Sequence, residues 1–303
     1  MRRVPTRRSE TRAAWLLLAP GLAALAVFFL LPVAAALLLS LTDFDLYAIA
    51  DPANIRWVAL DNYRRLLGDP IFWKALRNTF YFAFAGGPLA ILVSFGAALL
   101  ISSRLARLKG LWRTVFFAPV VTTLVAVAVA WRYLYNPRFG LIDHALGWLG
   151  VAPIDWLGDP RWAMPAMILL AVWKNFGYNM IIFVAGLQSI PGQLYEAARI
   201  DGAGAWRQLR HITLPMLRPT FLFVGVTTTV GYLQLFAEPY VMTMTSSGSG
   251  GPLNSTLSVV LLMYKQGFRF WRMGYAAAVA FVLFTVILLA TLLQIRLQRE
   301  RPA

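Results

Sequence analysis

WLLLAPGLAALAVFFLLPVAAALLLSL, residues 15–41, runs from Trp15 to Leu41 without one charged side chain. Coiled at about 1.5 Å per residue, such a run extends to about 40 Å. That exceeds the roughly 30 Å hydrocarbon core of a bilayer. Arg2, Arg3, Arg7, Arg8 and Arg12 precede it, as they would in a signal peptide. A signal-peptide core, however, spans only about 7–15 apolar residues, so the run reads as a retained first span. Pro20 and Pro32 are compatible with this, because neighbouring helices in a membrane can re-satisfy the carbonyls that a proline frees.

Working outward, four more stretches are long and apolar enough to cross: Phe80–Ile101, Val115–Tyr135, Met216–Phe236 and Tyr275–Leu293. A sixth, Met164–Leu187, is apolar at both ends but interrupted by Lys174, Asn175 and Asn179. The expectation is an all-α membrane protein of about six transmembrane helices. A membrane domain over 15–297 is flanked by a basic cytoplasmic tail, 1–14, and a short cytoplasmic tail, 298–303. Composition agrees: hydrophobic residues make up 59% of the 303 residues and charged ones 14%, with a mean hydropathy of +0.63. A soluble domain would need a larger polar shell.

The net charge of +15 does not point to nucleic acid. That reading requires a basic face on a soluble domain, and the charges sit instead at the ends of the apolar runs. Arg104, Arg107, Lys109 and Arg113 follow the second span. Arg199, Arg207 and Arg210 lie between the fourth and fifth, Arg218 at the start of the fifth, and Arg296, Arg299 and Arg301 follow the last. With the N-terminal arginines they outnumber Glu10, Glu196, Asp201 and Glu300 on the same side. Basic residues are retained in cytoplasmic segments, so both termini are expected in the cytoplasm. Three outer connections remain: Thr42–Thr79, Asn136–Trp162 and roughly Glu238–Arg272. The first two show little nameable helical periodicity. The third contains Ser246-Ser247-Gly248-Ser249-Gly250-Gly251-Pro252, which favours an irregular, mobile connection.

The cytoplasmic segment 191–215 reads PGQLYEAARIDGAGAWRQLRHITLP. It predicts a short helix, a turn at Gly202–Gly204 where Gly202 supplies backbone freedom, and a second short helix stopped by Pro215. Trp206, Leu209 and Ile212 put an apolar stripe on that second helix. On the residues alone, a docking element and an ordinary helical surface loop are equally good readings. The segment also resembles the EAA loop of binding-protein-dependent ABC importer permeases: Glu-Ala-Ala, then Gly, nine residues, then Ile-x-Leu-Pro. Glu196, Ala197, Ala198, Gly202, Ile212, Leu214 and Pro215 match it, and Asp201 before the glycine is typical. Further likeness to the maltose, glycerol-3-phosphate and multiple-sugar group lies in Trp173-Lys174, Ala185–Pro191, Glu238–Thr243, Gly250-Gly251-Pro252 and Gly274–Ala278. The usual Thr-x-Gly-Gly-Pro is lengthened here by Met244–Ser249.

The resemblance implies a type I ABC importer permease fold in a bacterial inner membrane. It implies a non-catalytic subunit that couples to its ATPase through Glu196, Ala197, Ala198, Asp201, Gly202, Trp206, Ile212, Leu214 and Pro215. The implied partners are a second permease in a heterodimer, two ATP-binding subunits and an extracytoplasmic sugar-binding protein. The implied substrate is a sugar, with glycerol-3-phosphate or another small polar solute second and an ion-driven secondary transporter third.

Polar residues within the spans are candidates for the path itself, since charge at mid-membrane usually faces a cavity or partner. Lys174 and Tyr178, and Asn175 and Asn179, lie four apart on one helical face. Thr227, Gly231, Gln234 and Glu238 form a stripe on the fifth span. Either group can line a path or hold helices together, as amides and hydroxyls do in membranes, and a Lys174–Glu238 pair can be structural. No cofactor is expected. His144 and His211 are the only histidines and cysteine is absent, which leaves no set for a metal. The phosphate-loop pattern G-x-x-x-x-G-K-[ST] does not occur.

Overall fold

The computed structural model describes residues 7–103, 107–244 and 249–299. Arg2, Arg3, Arg104, Glu300, Arg301 and Ser246–Gly248 of the sequence reading lie outside them. Regular structure among the described residues is helical, with one isolated bridge between Thr42 and Trp57.

The chain falls into two compact units: residues up to Gly68 with Met263–Val282, and Asp69–Leu262 with the chain from Leu283 onward. In the first unit, α1 (Arg7–Leu25) continues through a wide π-helical turn, Ala26–Leu30, into α2 (Leu31–Ser40). Leu17, Phe28, Phe29 and Leu38 are all exposed, and nothing in the central stretch of this span is buried. A helix apolar on every side needs lipid or another membrane helix as its solvent. Beyond it, Asn62 Nδ2 donates to the carbonyls of Ser40 (2.9 Å) and Thr42 (2.7 Å). Slight burial of Asp43 is outweighed by bonds from the Arg56 N–H and Nε, each 2.7 Å, which hold its carboxyl below the usual carboxylate range.

The second unit begins with α3 (Pro70–Tyr81), a wide turn at Phe82–Gly86, and α4 (Gly87–Ser102). The segment expected as part of an outer loop up to Thr79 is therefore helical from Pro70, and the span is longer than its apolar core. The reason is local: Asp69 caps the helix by accepting the Ile71 N–H (2.8 Å), and Pro70 at the first position needs no N–H partner. The loop reading also missed Leu46–Ala50 and Asp61–Gly68; the first is capped by Asp45.

The third span is not one rod. α5 (Lys109–Val121) and α6 (Leu124–Leu134) meet at an angle of 97°. Pro119 lies in the last turn of α5. Thr122 and Thr123 are extended (ψ 146° and 136°), and Thr122 Oγ1 turns back to donate to the Pro119 carbonyl at 2.6 Å.

α7 (Ala163–Gln188) is the most buried span and the axis of this unit, flanked by α4, α5 and α10 (Arg218–Leu233). Met167, Leu170, Ala171, Met180 and Phe183 are fully buried along it. Glycines permit the closest approaches. A Cβ on Gly177 would overlap the Phe116 carbonyl oxygen, and one on Gly186 would strike Thr220 and Leu217. Small residues let membrane helices approach this closely. α8 (Gly192–Ile200) and α9 (Ala205–Gln208) form the loop after α7, and α11 (Ala237–Met242) follows α10. α12 (Met273–Arg299) closes the chain.

The connection after α11 is tied to the helices around it in its described part. Asn78 Nδ2 donates to the carbonyls of Asn254 (2.9 Å) and Leu257 (3.0 Å), and Ser258 Oγ to that of Leu235 (2.5 Å). Thr79 Oγ1, fully buried, donates to Ala75 and accepts the Val259 N–H at 3.0 Å. Thr79→Val keeps the shape but leaves that N–H without its acceptor, at a cost of about 1–3 kcal/mol. A lowered melting temperature of the detergent-purified subunit is the expected result. An unchanged one removes the pinning role.

Candidate functional site

Two sites emerge in the second unit. The first is a cavity of about 440 Å³ walled by α7, α10, the stretch from Gln234 to Glu238 and the α5–α6 break. Asn175, Tyr178, Asn179, Thr227, Gln234 and Glu238 all line it, so the two polar stripes read from the sequence face one space. Asn179 Nδ2 donates to Thr228 Oγ1 across α7 and α10 at 3.0 Å. Thr227 Oγ1 is turned to its own helix, donating to Phe223 (2.9 Å) and Val224 (3.2 Å). Tyr178 is half exposed and Glu238 is buried. The wall thus mixes amide, phenol and carboxylate groups with apolar surface.

Several wall residues escaped the sequence reading. Thr228 and Tyr232 sit beside the predicted stripe on α10, and Phe82 stacks on Tyr232 with ring centroids 5.0 Å apart. That aromatic pair joins spans about 150 residues apart in the chain, a separation that helical periodicity does not cross. A cue existed in Gly86, whose missing Cβ makes room for the Tyr232 ring.

Lys174 is different. It is buried, does not line the cavity and forms no salt bridge with Glu238. Its Nζ donates to the carbonyls of Pro119 (3.0 Å), Val120 (3.3 Å) and Thr122 (2.9 Å). As a path residue Lys174 is therefore set aside: all its donors serve the broken helix.

The second site is the loop between α7 and α10. α8 carries Glu196, Ala197 and Ala198. Gly202 turns the chain at φ +74°, a conformation open to glycine and strained for other residues. The turn closes through Ala203 N–H to Ala198 O (2.8 Å) and Gln208 Nε2 to Ala203 O (2.7 Å). Tyr195 OH and Thr213 Oγ1 share a 2.9 Å bond between the two arms. Pro215 does not stop the second helix, as the sequence reading had it. A wide turn at Leu209–Thr213 precedes the proline and takes up its missing N–H, and helix persists to Met216.

Glu196 is exposed beside a cleft of about 610 Å³ that Tyr195, Arg199, Leu209 and Thr213 also line. Of the apolar stripe, Leu209 and Ile212 are half-buried while Trp206 stays 72% exposed, and Ile200 is 87% exposed. Exposed apolar side chains on one loop form a patch of the kind that binding surfaces carry. Asp201, Ala197 and Leu214 complete the ordered loop, with Ala197 exposed and Leu214 half-buried.

A polar cavity between apolar helices, with a loop of short helices between two of them, is an arrangement that suits a membrane permease. The chain belongs to the family of binding-protein-dependent transport system inner membrane components, whose match covers residues 90–301. It is 38% identical over 290 residues to the lactose transport system permease protein LacF of Rhizobium radiobacter, across 95% of this chain and 94% of that protein. It is 32% identical to the sn-glycerol-3-phosphate transport system permease protein UgpA of Pectobacterium atrosepticum, across 95% of this chain and 96% of the other. Its fold matches a chain in the crystal structure of a bacterial ABC transporter involved in the import of the acidic polysaccharide alginate. There the TM-score is 0.79 at 23% identity, over 97% of this chain and 99% of that one. The fold is that of a type I ABC importer permease, and the chain is a multi-pass, non-catalytic membrane subunit of a system that depends on a binding protein.

Proposed function

We propose that this subunit forms half of the translocation path of an ATP-driven importer for a neutral mono- or oligosaccharide. Supporting that reading is the cavity wall: Asn175, Asn179 and Gln234 offer amides to sugar hydroxyls, and Tyr178 offers a ring face. The 38% identity to a lactose permease supports it too. Glycerol-3-phosphate is the weaker substrate on the same observation. Among the described residues no lysine or arginine lines the cavity, Lys174 is occupied elsewhere, and the carboxyl group present is that of Glu238. A phosphate dianion against such a wall would lack its usual cationic partners.

The loop from Pro191 to Pro215 is proposed to dock an ATP-binding subunit, with Glu196, Ala197, Ala198, Asp201 and Gly202 at the contact and Trp206, Ile212, Leu214 and Pro215 shaping it. The assembly would hold a second, different permease, two ATP-binding subunits and an extracytoplasmic sugar-binding protein. The basic loop ends then put both termini in the cytoplasm. Reconstituted in liposomes with those partners, the subunit should support sugar uptake that requires internal ATP and the binding protein. Uptake that continues without ATP would instead make it an ion-driven transporter.

A further inference from the structure

Lys174 serves a segment more than fifty residues before it in the chain. A protonated lysine has three N–H donors and no acceptor, and here three carbonyls at 2.9–3.3 Å take all of them. Those of Pro119 and Val120 belong to the last turn of α5, where a helix leaves carbonyls without partners. That of Thr122 belongs to the break itself. Three residues further along α7, Gly177 receives the Phe116–Phe117 backbone in a contact that no side chain would permit. α5 is thus fixed to α7 twice, by packing at Gly177 and by hydrogen bonds at Lys174. Beyond the break a second neighbour is added: α6 packs against α11, the helix that carries Glu238, while Trp131 meets Trp173 of α7 at 5.4 Å and Tyr135 OH donates to the Ala166 carbonyl at 2.8 Å. Val120 and Leu124, on either side of the break, both line the cavity.

We infer that Lys174 is a positioning residue of the path. It pins the end of α5 to α7, fixes where Val120 stands in the cavity wall, and so sets the point at which the chain bends through Thr122–Thr123 into α6. This rests on the reading of the cavity as the path. Lys174 itself does not contact substrate. Its removal alters one wall and leaves the α10 side in place.

The chain has no cysteine, so single cysteines report local access. Val120→Cys and Gln234→Cys are each placed in the importer assembled with its partner subunits in liposomes. Each is combined with native Lys174, Lys174→Met or Lys174→Arg, and reaction with a small charged methanethiosulfonate is timed with and without the transported sugar. With native Lys174, sugar should slow both reactions. Lys174→Met should change the rate at Val120→Cys by about tenfold or more and at Gln234→Cys by less than about threefold, a site-selective coupling. Lys174→Arg, which retains donors, should restore the Val120→Cys rate to within about threefold. Equal Val120→Cys rates in all three backgrounds overturn the inference, and so does an equal change at both cysteines, which marks general loosening. Should Lys174→Met not assemble, Lys174→Gln takes its place, and failure of both neutral variants leaves Lys174 a purely structural group. If sugar protects neither cysteine with native Lys174, the cavity reading fails instead, whatever the variants do.

Discussion

Gly177→Val should yield almost no folded subunit. The added Cβ would fall on the carbonyl oxygen of Phe116 and against the Cα of Phe117. Both are backbone atoms, so no rotamer change can clear them. Overpacking a well-filled site commonly costs about 1–3 kcal/mol, and a clash with backbone belongs at or above the top of that range. Against a total stability of roughly 5–15 kcal/mol, and with α5 forced off α7, the loss extends to the helix end that Lys174 holds. The measurement is the yield of monodisperse subunit by size exclusion in detergent. Gly225→Val is the control, because nothing lies within 4 Å of the Cβ built there. Equal yields for the two variants would remove the close approach at Gly177 from the account of this fold.

The second large effect concerns coupling. Glu196 is exposed on α8, beside the cleft between the arms of the loop. Glu196→Lys should therefore leave folding and membrane insertion within about twofold of the parent, as surface changes usually do. In the assembled importer it should cut sugar-stimulated ATP hydrolysis by at least about tenfold, equivalent to about 1.4 kcal/mol of lost coupling. A charge reversed within a protein interface opposes every group arranged to meet the original one. ATPase stimulation that survives in a fully assembled Glu196→Lys complex would mean the loop does not carry the signal.

Much of this fold was legible before any coordinates, because lipid imposes a simple requirement. Runs such as Trp15–Leu41 are too long and too apolar for anything but a crossing, and the match at Glu196–Pro215 brought the family into view. The face shared by Asn175, Tyr178 and Asn179 was also readable, since all three lie on one helix. What stayed hidden depended on partners distant in sequence. Lys174 looked like a path residue because charge inside a span usually faces a cavity, and nothing local reveals that its acceptors lie on α5. The break itself had a visible cue in Pro119-Val120-Val121-Thr122-Thr123, where a proline is followed by β-branched residues of low helix propensity. The Asp69-Pro70 start of α3 was equally readable as a cap. Both signals were outweighed by the apolar content of their surroundings.

Three of the four wide turns among the described residues share one pattern; the fourth, Lys265–Arg269, has no proline close after it. Ala26–Leu30, Phe82–Gly86 and Leu209–Thr213 each end two residues before a proline: Pro32, Pro88 and Pro215. A wide turn holds one residue more than the regular coil it replaces. Each proline is thereby matched by an extra residue in its own helix, placed where the ring would otherwise meet the preceding turn. In evolutionary terms, the proline and the length of the segment before it form one heritable unit. A lineage that loses one of these prolines can also discard a residue upstream without shifting the side chains beyond it, while a lineage that keeps the proline and drops the residue rotates the rest of that helix by about 100°, given 3.6 residues per turn.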